Sequence, residues 1–314
     1  MSAISVDIES DVAVLSIDQP GSRVNVLSRV LWAELADALA RIAARDDLSG
    51  LVLVSGKPGI FIAGADLNAL VDVPSTDHVP TREFVEAGQR VLDRLTTLPF
   101  PTVACIDGPA LGGGLEVALA CDARIAGSHP KVALGLPEVG LGLIPGWGGT
   151  QRLPRLIGPA SALDMILQGT SLDADRARER GLVDTIVPSE NLRSTALKIA
   201  ATLQVDSTRT RLQNALPIAD RPATFAEITK GIATEAGLNA MSLSDDALQA
   251  RRESLPAGPT RLAGLTAIDV IDRGCRLPLA QALQIEFEAF MRLAAGADAR
   301  QLIGEFFARR TRKA

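Results

Sequence analysis

The sequence predicts an α/β body over residues 1–190 and an all-helical region over residues 191–314. Three observations predict it. Short apolar or β-branched runs alternate with helix-spaced stretches through the first 190 residues, the rhythm of repeated crossovers. Two of those runs, residues 51–54 (LVLV) and Thr102–Ile106, are almost wholly apolar, as strands covered on both faces must be. Past residue 190 the strand signal fades and only helical patterns remain.

Residues 5–9 and 12–17 are β-branched runs split by Ser10 and Asp11, which predicts a hairpin. Ser28 is placed to cap a helix through Trp32, Leu35, Leu39 and Ile42, whose spacing puts them on one face. A second helix is expected over 84–95, a third over 173–180, and a strand over 182–187. Beyond these, helices are expected over 191–203, 242–252, 260–273, 278–294 and 298–310. The stretch 205–225 is mixed, with Pro217 and Pro222 as breakers. The basic run at 309–313 reads as a helix end whose cations suit the negative pole of the dipole, or as a docking tail.

Composition narrows the chemistry. With 32 Lys and Arg against 37 Asp and Glu, the net charge is −5, and 8 Phe, 2 Trp and no Tyr leave few stacking platforms. A dedicated nucleic-acid binder would show the opposite. Two His leave little room for a His-rich metal site or a Ser-His-Asp triad, so acid–base work falls to carboxylates and no metal is expected. The N-terminus lacks the basic and apolar regions of a signal peptide, and no run of 18 apolar residues occurs. Cys105, Cys121 and Cys275 lie in apolar settings and read as reduced cysteines of a cytoplasmic protein. Cys121 follows a glutamate-bearing helix, but no His motif stands beside it to make it a nucleophile.

Glycines gather in two segments, 108–122 and 136–150. Neither is a Walker A loop, a dinucleotide fingerprint or a G-x-S-x-G elbow. In the first, a buried strand enters Gly112-Gly113-Gly114, which opens a helix over 115–121. Amides at such an N-terminus carry positive partial charge, and glycines admit a ligand to them, which builds an oxyanion hole from backbone alone. Glu116 sits in the first turn beside it, where the dipole favours its ionised form. Tight helix–sheet packing with a solvated Glu116 explains the same residues equally well. In the second segment, Glu138 is flanked by Leu136, Val139, Leu141 and Leu143, so partial burial would raise its pKa; a surface turn carboxylate is the alternative. A third segment, 55–67, carries the turn Ala63-Gly64-Ala65 as a further amide donor, Asp66 as a helix cap, and Lys57 as a surface lysine or a phosphate partner.

FIAGAD (61–66), GPALGGGLE (108–116) and LPEVGLGLIPGWGGTQRL (136–153), in this order and at these separations, resemble the crotonase, or enoyl-CoA hydratase/isomerase, superfamily. The form SGKPGIFIAGAD (55–66), with GLTAIDVIDRG (264–274) and LIGEFFARR (302–310), is similar to the hydratase half of the bifunctional fatty-acid oxidation α subunit and its linking helices. The resemblance implies a spiral of repeated ββα units with a helical C-terminal extension. It implies an oxyanion hole from the amides of Ala65 and Gly113, and catalytic carboxylates at Glu116 and Glu138. Glu116 would activate a water for attack at the β carbon, and Glu138 would handle the proton at the α carbon. Coenzyme A, part of the substrate and not a separate cofactor, would lie along Ala63, Gly64, Asp66 and Leu67, with Gly146 and Trp147 completing the substrate-binding set.

The activity so implied is hydration of 2-enoyl-CoA thioesters in fatty-acid β-oxidation, with Δ3-Δ2 isomerisation in some members. No nicotinamide fingerprint is present, so dehydrogenation is not expected, and a dehydrogenase or thiolase is the partner that the resemblance implies. Another crotonase-type thioester chemistry, isomerase or hydrolase, and a non-catalytic docking subunit remain open at the level of sequence.

Overall fold

The computed structural model describes residues 2–71, 78–203 and 242–312. Strands β1 (Ile4–Glu9) and β2 (Val12–Ile17) form the expected antiparallel hairpin, turned by Ser10 at φ 60°. Strands β3 (Gly50–Ser55), β4 (Thr102–Ile106), β6 (Ala123–Gly127) and β9 (Thr185–Val187) add in parallel, giving the sheet order β1-β2-β3-β4-β6-β9. A three-stranded sheet pairs β5 (Pro109–Leu111), β7 (Ala133–Gly135) and β8 (Ser171–Leu172).

The period-2 alternation divides the large sheet into two faces. Val12, Val14, Val52, Val54, Val103 and Ile125 pack beneath Leu192, Ala196 and Ala200 of helix α8 (Leu192–Thr202). Ala13, Leu15, Ile17, Leu51, Leu53 and Ile106 face the main core. There they meet α1 (Arg29–Ala43), whose N-cap Ser28 accepts the Leu31 amide, and α3 (Val79–Thr96). Helix α2 (Asn68–Val71) is one turn, with Asp66 Oδ1 accepting the Asn68 amide at its start. Helix α4 (Gly113–Ala120) is buried along its whole length, as its composition requires.

Helices α5 (Gly149–Ile157), α6 (Pro159–Gln168) and α7 (Ala174–Glu179) complete the body; Asp173 caps α7 by accepting the Arg176 amide. The later helices are α9 (Asp245–Ser254), α10 (Arg261–Gly274), α11 (Leu279–Ala294) and α12 (Ala297–Thr311). Their apolar faces do not form a separate core. Ile268, Ile271, Phe287, Phe290 and Ile303 join the same continuous cluster as Leu153 and Leu163. Side chains of α5 anchor the junction: Gln151 donates to the Val270 carbonyl, and Arg155 donates to those of Gly274 and Leu277 at the end of α10.

Two expectations need correction. The run 182–187 is a strand only from Thr185, because Leu182 and Val183 plug the core beneath α7, where the Leu182 amide donates to the Ala177 carbonyl. Lys57 is not the plain surface lysine expected: its side chain is largely covered and its ammonium is held by Asp18 and the Gln19 carbonyl. The mixed stretch 205–225 lies outside the described residues.

Candidate active site

A cavity of about 490 Å³ opens between the β-sheet body and the C-terminal helices. Ala63, Gly64, Ala65, Asp66, Leu67, Gly113, Glu116, Glu138, Gly146 and Trp147 all line it. The structure thus brings together, from three separate segments, every site residue that the sequence singled out.

Backbone pairing accounts for the two amides. The Ala63 and Asp66 amides donate to the carbonyls of Asn25 and Leu27, and the Leu27 amide donates to the Gly64 carbonyl. This short ladder uses the groups on either side of Ala65 and leaves the Ala65 N–H without a protein acceptor among the described residues. Asn25, fully buried, donates through Nδ2 to the Ile17 and Phe61 carbonyls and so ties this segment to the end of β2. In the same way the Leu111 amide goes to the Ile62 carbonyl and the Gly112 amide to that of Gly135, which leaves the N–H of Gly113, first residue of α4, likewise unengaged. Only glycine fits at 113, where a Cβ would stand 2.6 Å from the Trp147 ring and 2.8 Å from Leu27.

Glu116 is 1% exposed. Its Oε1 accepts the Trp147 amide at 2.7 Å and the Gly149 amide at 2.8 Å, while Oε2 takes no hydrogen bond among the described residues. Burial pushes its pKa up from 4.5 to about 7, against the pull of those two amides and of Arg152. Burial therefore outweighs the dipole that the sequence suggested would favour the ionised form. Glu138 heads a 3₁₀ turn, Glu138–Leu141, not an open loop. Its carboxyl Oε2 is buried and without a hydrogen-bond partner among the described residues. Burial first, then the negative charge of Glu116, lifts the Glu138 pKa well above the carboxylate range. Both acids are thus more basic than an ordinary carboxylate, and the charge of Glu116 adds to the proton affinity of Glu138.

Trp147 fixes one wall. Its indole donates to the Val85 carbonyl at 2.9 Å, and its ring meets Trp32 and Phe84 edge-on at 5.0 and 5.4 Å. The remaining wall comes from the C-terminal helices: Phe290 of α11, and Phe306, Phe307 and Arg310 of α12. Arg310, read in the sequence as part of a basic tail, is exposed, stacks over Phe306 and reaches the cavity mouth.

Sequence reasoning missed Glu286, on α11. It is fully buried, and it accepts the Gly148 amide at 2.5 Å, the Thr150 amide at 2.9 Å and the Thr150 hydroxyl at 2.5 Å. A signal existed. Ala282, Glu286, Ala289, Phe290 and Leu293 form the buried stripe of α11, so a charged residue stands at an apolar position of the period. The three cysteines are buried, and burial raises the Cys121 thiol to about 12, which rules out an activated thiolate there.

Residues 7–257 match the family model described as enoyl-CoA hydratase/isomerase. A relative from Shewanella halifaxensis, named fatty acid oxidation complex subunit alpha, is 46% identical over 192 residues, which are 61% of this chain and 27% of that protein. The chain thus spans well under half of the curated relative's length. Among solved structures, Pseudomonas aeruginosa DspI is similar with a TM-score of 0.61 and 35% identity, over 67% of this chain and 84% of that one. The enoyl-CoA hydratase of Bacillus anthracis is similar with a TM-score of 0.60 and 29% identity, over 98% and 97%. With this fold, this pair of acids and a family match over most of its length, the chain belongs to the enoyl-CoA hydratase/isomerase, or crotonase, family.

Proposed function

We propose that the protein is a 2-enoyl-CoA hydratase acting in fatty-acid β-oxidation. One observation carries this reading: Glu116 and Glu138, both with raised proton affinity, face the same cavity as two amides left unengaged among the described residues. The thioester carbonyl oxygen accepts from Ala65 N–H and Gly113 N–H, which stabilise it as it becomes enolate-like. Ionised Glu116, through Oε2, takes a proton from water as the water oxygen bonds to C3. The C2–C3 π pair moves toward the carbonyl oxygen. Protonated Glu138 then gives its proton to C2 as the enolate electrons return. Transfer of a proton from Glu116 to Glu138 restores the starting state, with one water added in total.

Phe306 and Arg310 at the cavity mouth suit the nucleotide end of coenzyme A, one as an apolar face and one as a cation for phosphate. The product is a 3-hydroxyacyl thioester, whose further breakdown requires oxidation of the new hydroxyl. On this reading a dehydrogenase or thiolase is the partner class, and co-purification with one tests it.

The test of function is loss of the enoyl absorbance when the purified protein meets crotonyl-CoA and longer 2-enoyl-CoAs. Turnover supports the reading; no hydration of either overturns it. Mass spectrometry of the products separates hydration from double-bond migration and from thioester hydrolysis.

A further inference from the structure

The turn from Trp147 to Thr150 carries four consecutive amides, and two carboxylates share them in alternation. Glu116, from α4, takes those of Trp147 and Gly149; Glu286, from α11, takes those of Gly148 and Thr150, with the Thr150 hydroxyl as a third donor. We infer that Glu286 is a positioning residue for the hydration chemistry. By holding alternate amides from the far side of the turn, it aims the other two at Glu116 and so fixes where Glu116 Oε2 stands in the cavity. The inference rests on the hydratase reading of the site.

Several features support it. Glu286 reaches across 138 residues of sequence to Gly148, so the contact is not local helix capping. The bonds are shielded from water, the setting in which hydrogen bonds hold geometry most firmly. Arg152, one turn into α5, is buried behind the same turn and donates to the Trp147 carbonyl, so the turn is gripped on both its amide and its carbonyl sides. A catalytic carboxylate displaced by a fraction of an ångström loses its alignment with the attacking water, which is costly even when the cause lies away from the reacting atoms.

Glu286 also bears on proton affinity. Charged groups reach it from each neighbouring element: Glu116 on α4, Glu138 on the 3₁₀ turn, and Arg152 and Arg155 on α5, with Asp93 of α3 acting on Arg152. Burial, then the charge of Glu116, raises the Glu286 pKa to about 8. Once ionised, its negative charge is one of the influences that hold the proton on Glu138.

Glu286→Gln keeps the shape, removes the charge and sets an amide donor against the Thr150 N–H. The expected result is a fall in kcat of about 10-fold with KM for crotonyl-CoA within about two-fold of wild type, because only alignment is lost. The basic limb of the pH profile for kcat/KM should move to lower pH, because Glu138 no longer feels the Glu286 charge. Thr150→Val removes one donor and leaves the carboxylate in place, so a kcat loss of about three-fold is expected even if Glu286→Gln fails to fold. Wild-type kcat and an unmoved basic limb in folded Glu286→Gln overturn the inference while leaving the hydratase reading intact. So does a lowered Tm with both kinetic readouts unchanged, which marks Glu286 as structural only. Absence of hydration by wild type itself overturns the hydratase reading instead.

Discussion

Glu116 and Gly149 are locked at a distance that admits no side chain. The Gly149 amide donates to Glu116 Oε1 at 2.8 Å, and a Cβ on Gly149 would stand 3.0 Å from that same oxygen and 2.6 Å from the Pro145 ring. Glycine here serves the position of a carboxylate. Gly149→Ala is expected to displace the Glu116 carboxyl, lowering kcat by about 10-fold or more, and to cost about 1–3 kcal/mol through overpacking. Steady-state kinetics and thermal denaturation on the same preparation check both; a variant with wild-type kcat would separate the glycine from the acid.

Neutralising either acid of the proposed pair should stop turnover without emptying the cavity. Glu116→Gln and Glu138→Gln are each expected to lower kcat by about 10²-fold or more, and the double variant by much less than the product of the two. Stopped-flow hydration of crotonyl-CoA measures this, and a single variant at wild-type rate removes that residue from the mechanism.

The activity should follow a bell-shaped pH profile. Glu116 works ionised, so kcat/KM rises with pH through about 7, where burial has placed its pKa. Glu138 works protonated, so kcat/KM falls again at a higher pH, since burial and the Glu116 charge raise its pKa further. A profile flat across both limbs contradicts the assignment.

For Glu116, stability carries the opposite sign from activity; for Glu138 the two fall together as pH rises. A carboxyl whose pKa is raised in the fold binds extra protons there, so its stabilising contribution is complete below the ordinary 4.5 and is lost as pH climbs through its folded value. For Glu116 and Glu286 that loss runs from 4.5 to about 7 and about 8. Glu138→Gln should therefore raise Tm, and more at about pH 9 than at about pH 6. The Gln side chain stays neutral where Glu138 is driven to ionise at a buried oxygen that has no partner among the described residues. Calorimetry across pH checks this; an equal Tm change at both values refutes the charge as its cause.

Cations near the two glycine-rich segments should behave unequally. Arg310→Ala is expected to raise KM for crotonyl-CoA about 3- to 10-fold, most strongly at low salt, because an exposed cation attracts phosphate weakly and is screened. Lys57→Ala should leave KM unchanged, since its ammonium is bound to Asp18 and the Gln19 carbonyl and the residue does not line the cavity. Salt titration of KM for the two variants distinguishes them.

What the sequence reveals follows from how local each feature is. The hairpin, β4 and the Ser28-capped helix declare themselves by alternation, apolar content and a cap within a few residues. Glu116 and Glu138 are legible because the segments that hold them, 108–116 and 136–153, carry the family resemblance; glycine content alone leaves a packing or surface role open. The small sheet of β5, β7 and β8 is not, because strands of two or three residues, such as 109–111 with its proline, are too short for a period to show. Residues 182 and 183 mislead for a related reason: an apolar pair that plugs a core has the same composition as the start of a strand. Glu286 shows only as a charge out of phase on an apolar stripe, and nothing nearby in sequence says that its partners lie at 148 and 150.

The span between Gly148 and Glu286 also fixes an order of assembly. The last strand of the large sheet ends at residue 187 and the helix α8 that covers one of its faces ends at residue 202, yet the amides of Gly148 and Thr150 take their carboxylate from residue 286. Closing so long a loop is entropically costlier than any hairpin in the body, and it comes late. Until α11 docks, the turn at 147–150 has Glu116 and Arg152 as side-chain partners and lacks Glu286. Docking of α11 supplies Glu286, so completing the site depends on the C-terminal helices as well as on the helix that carries Glu116.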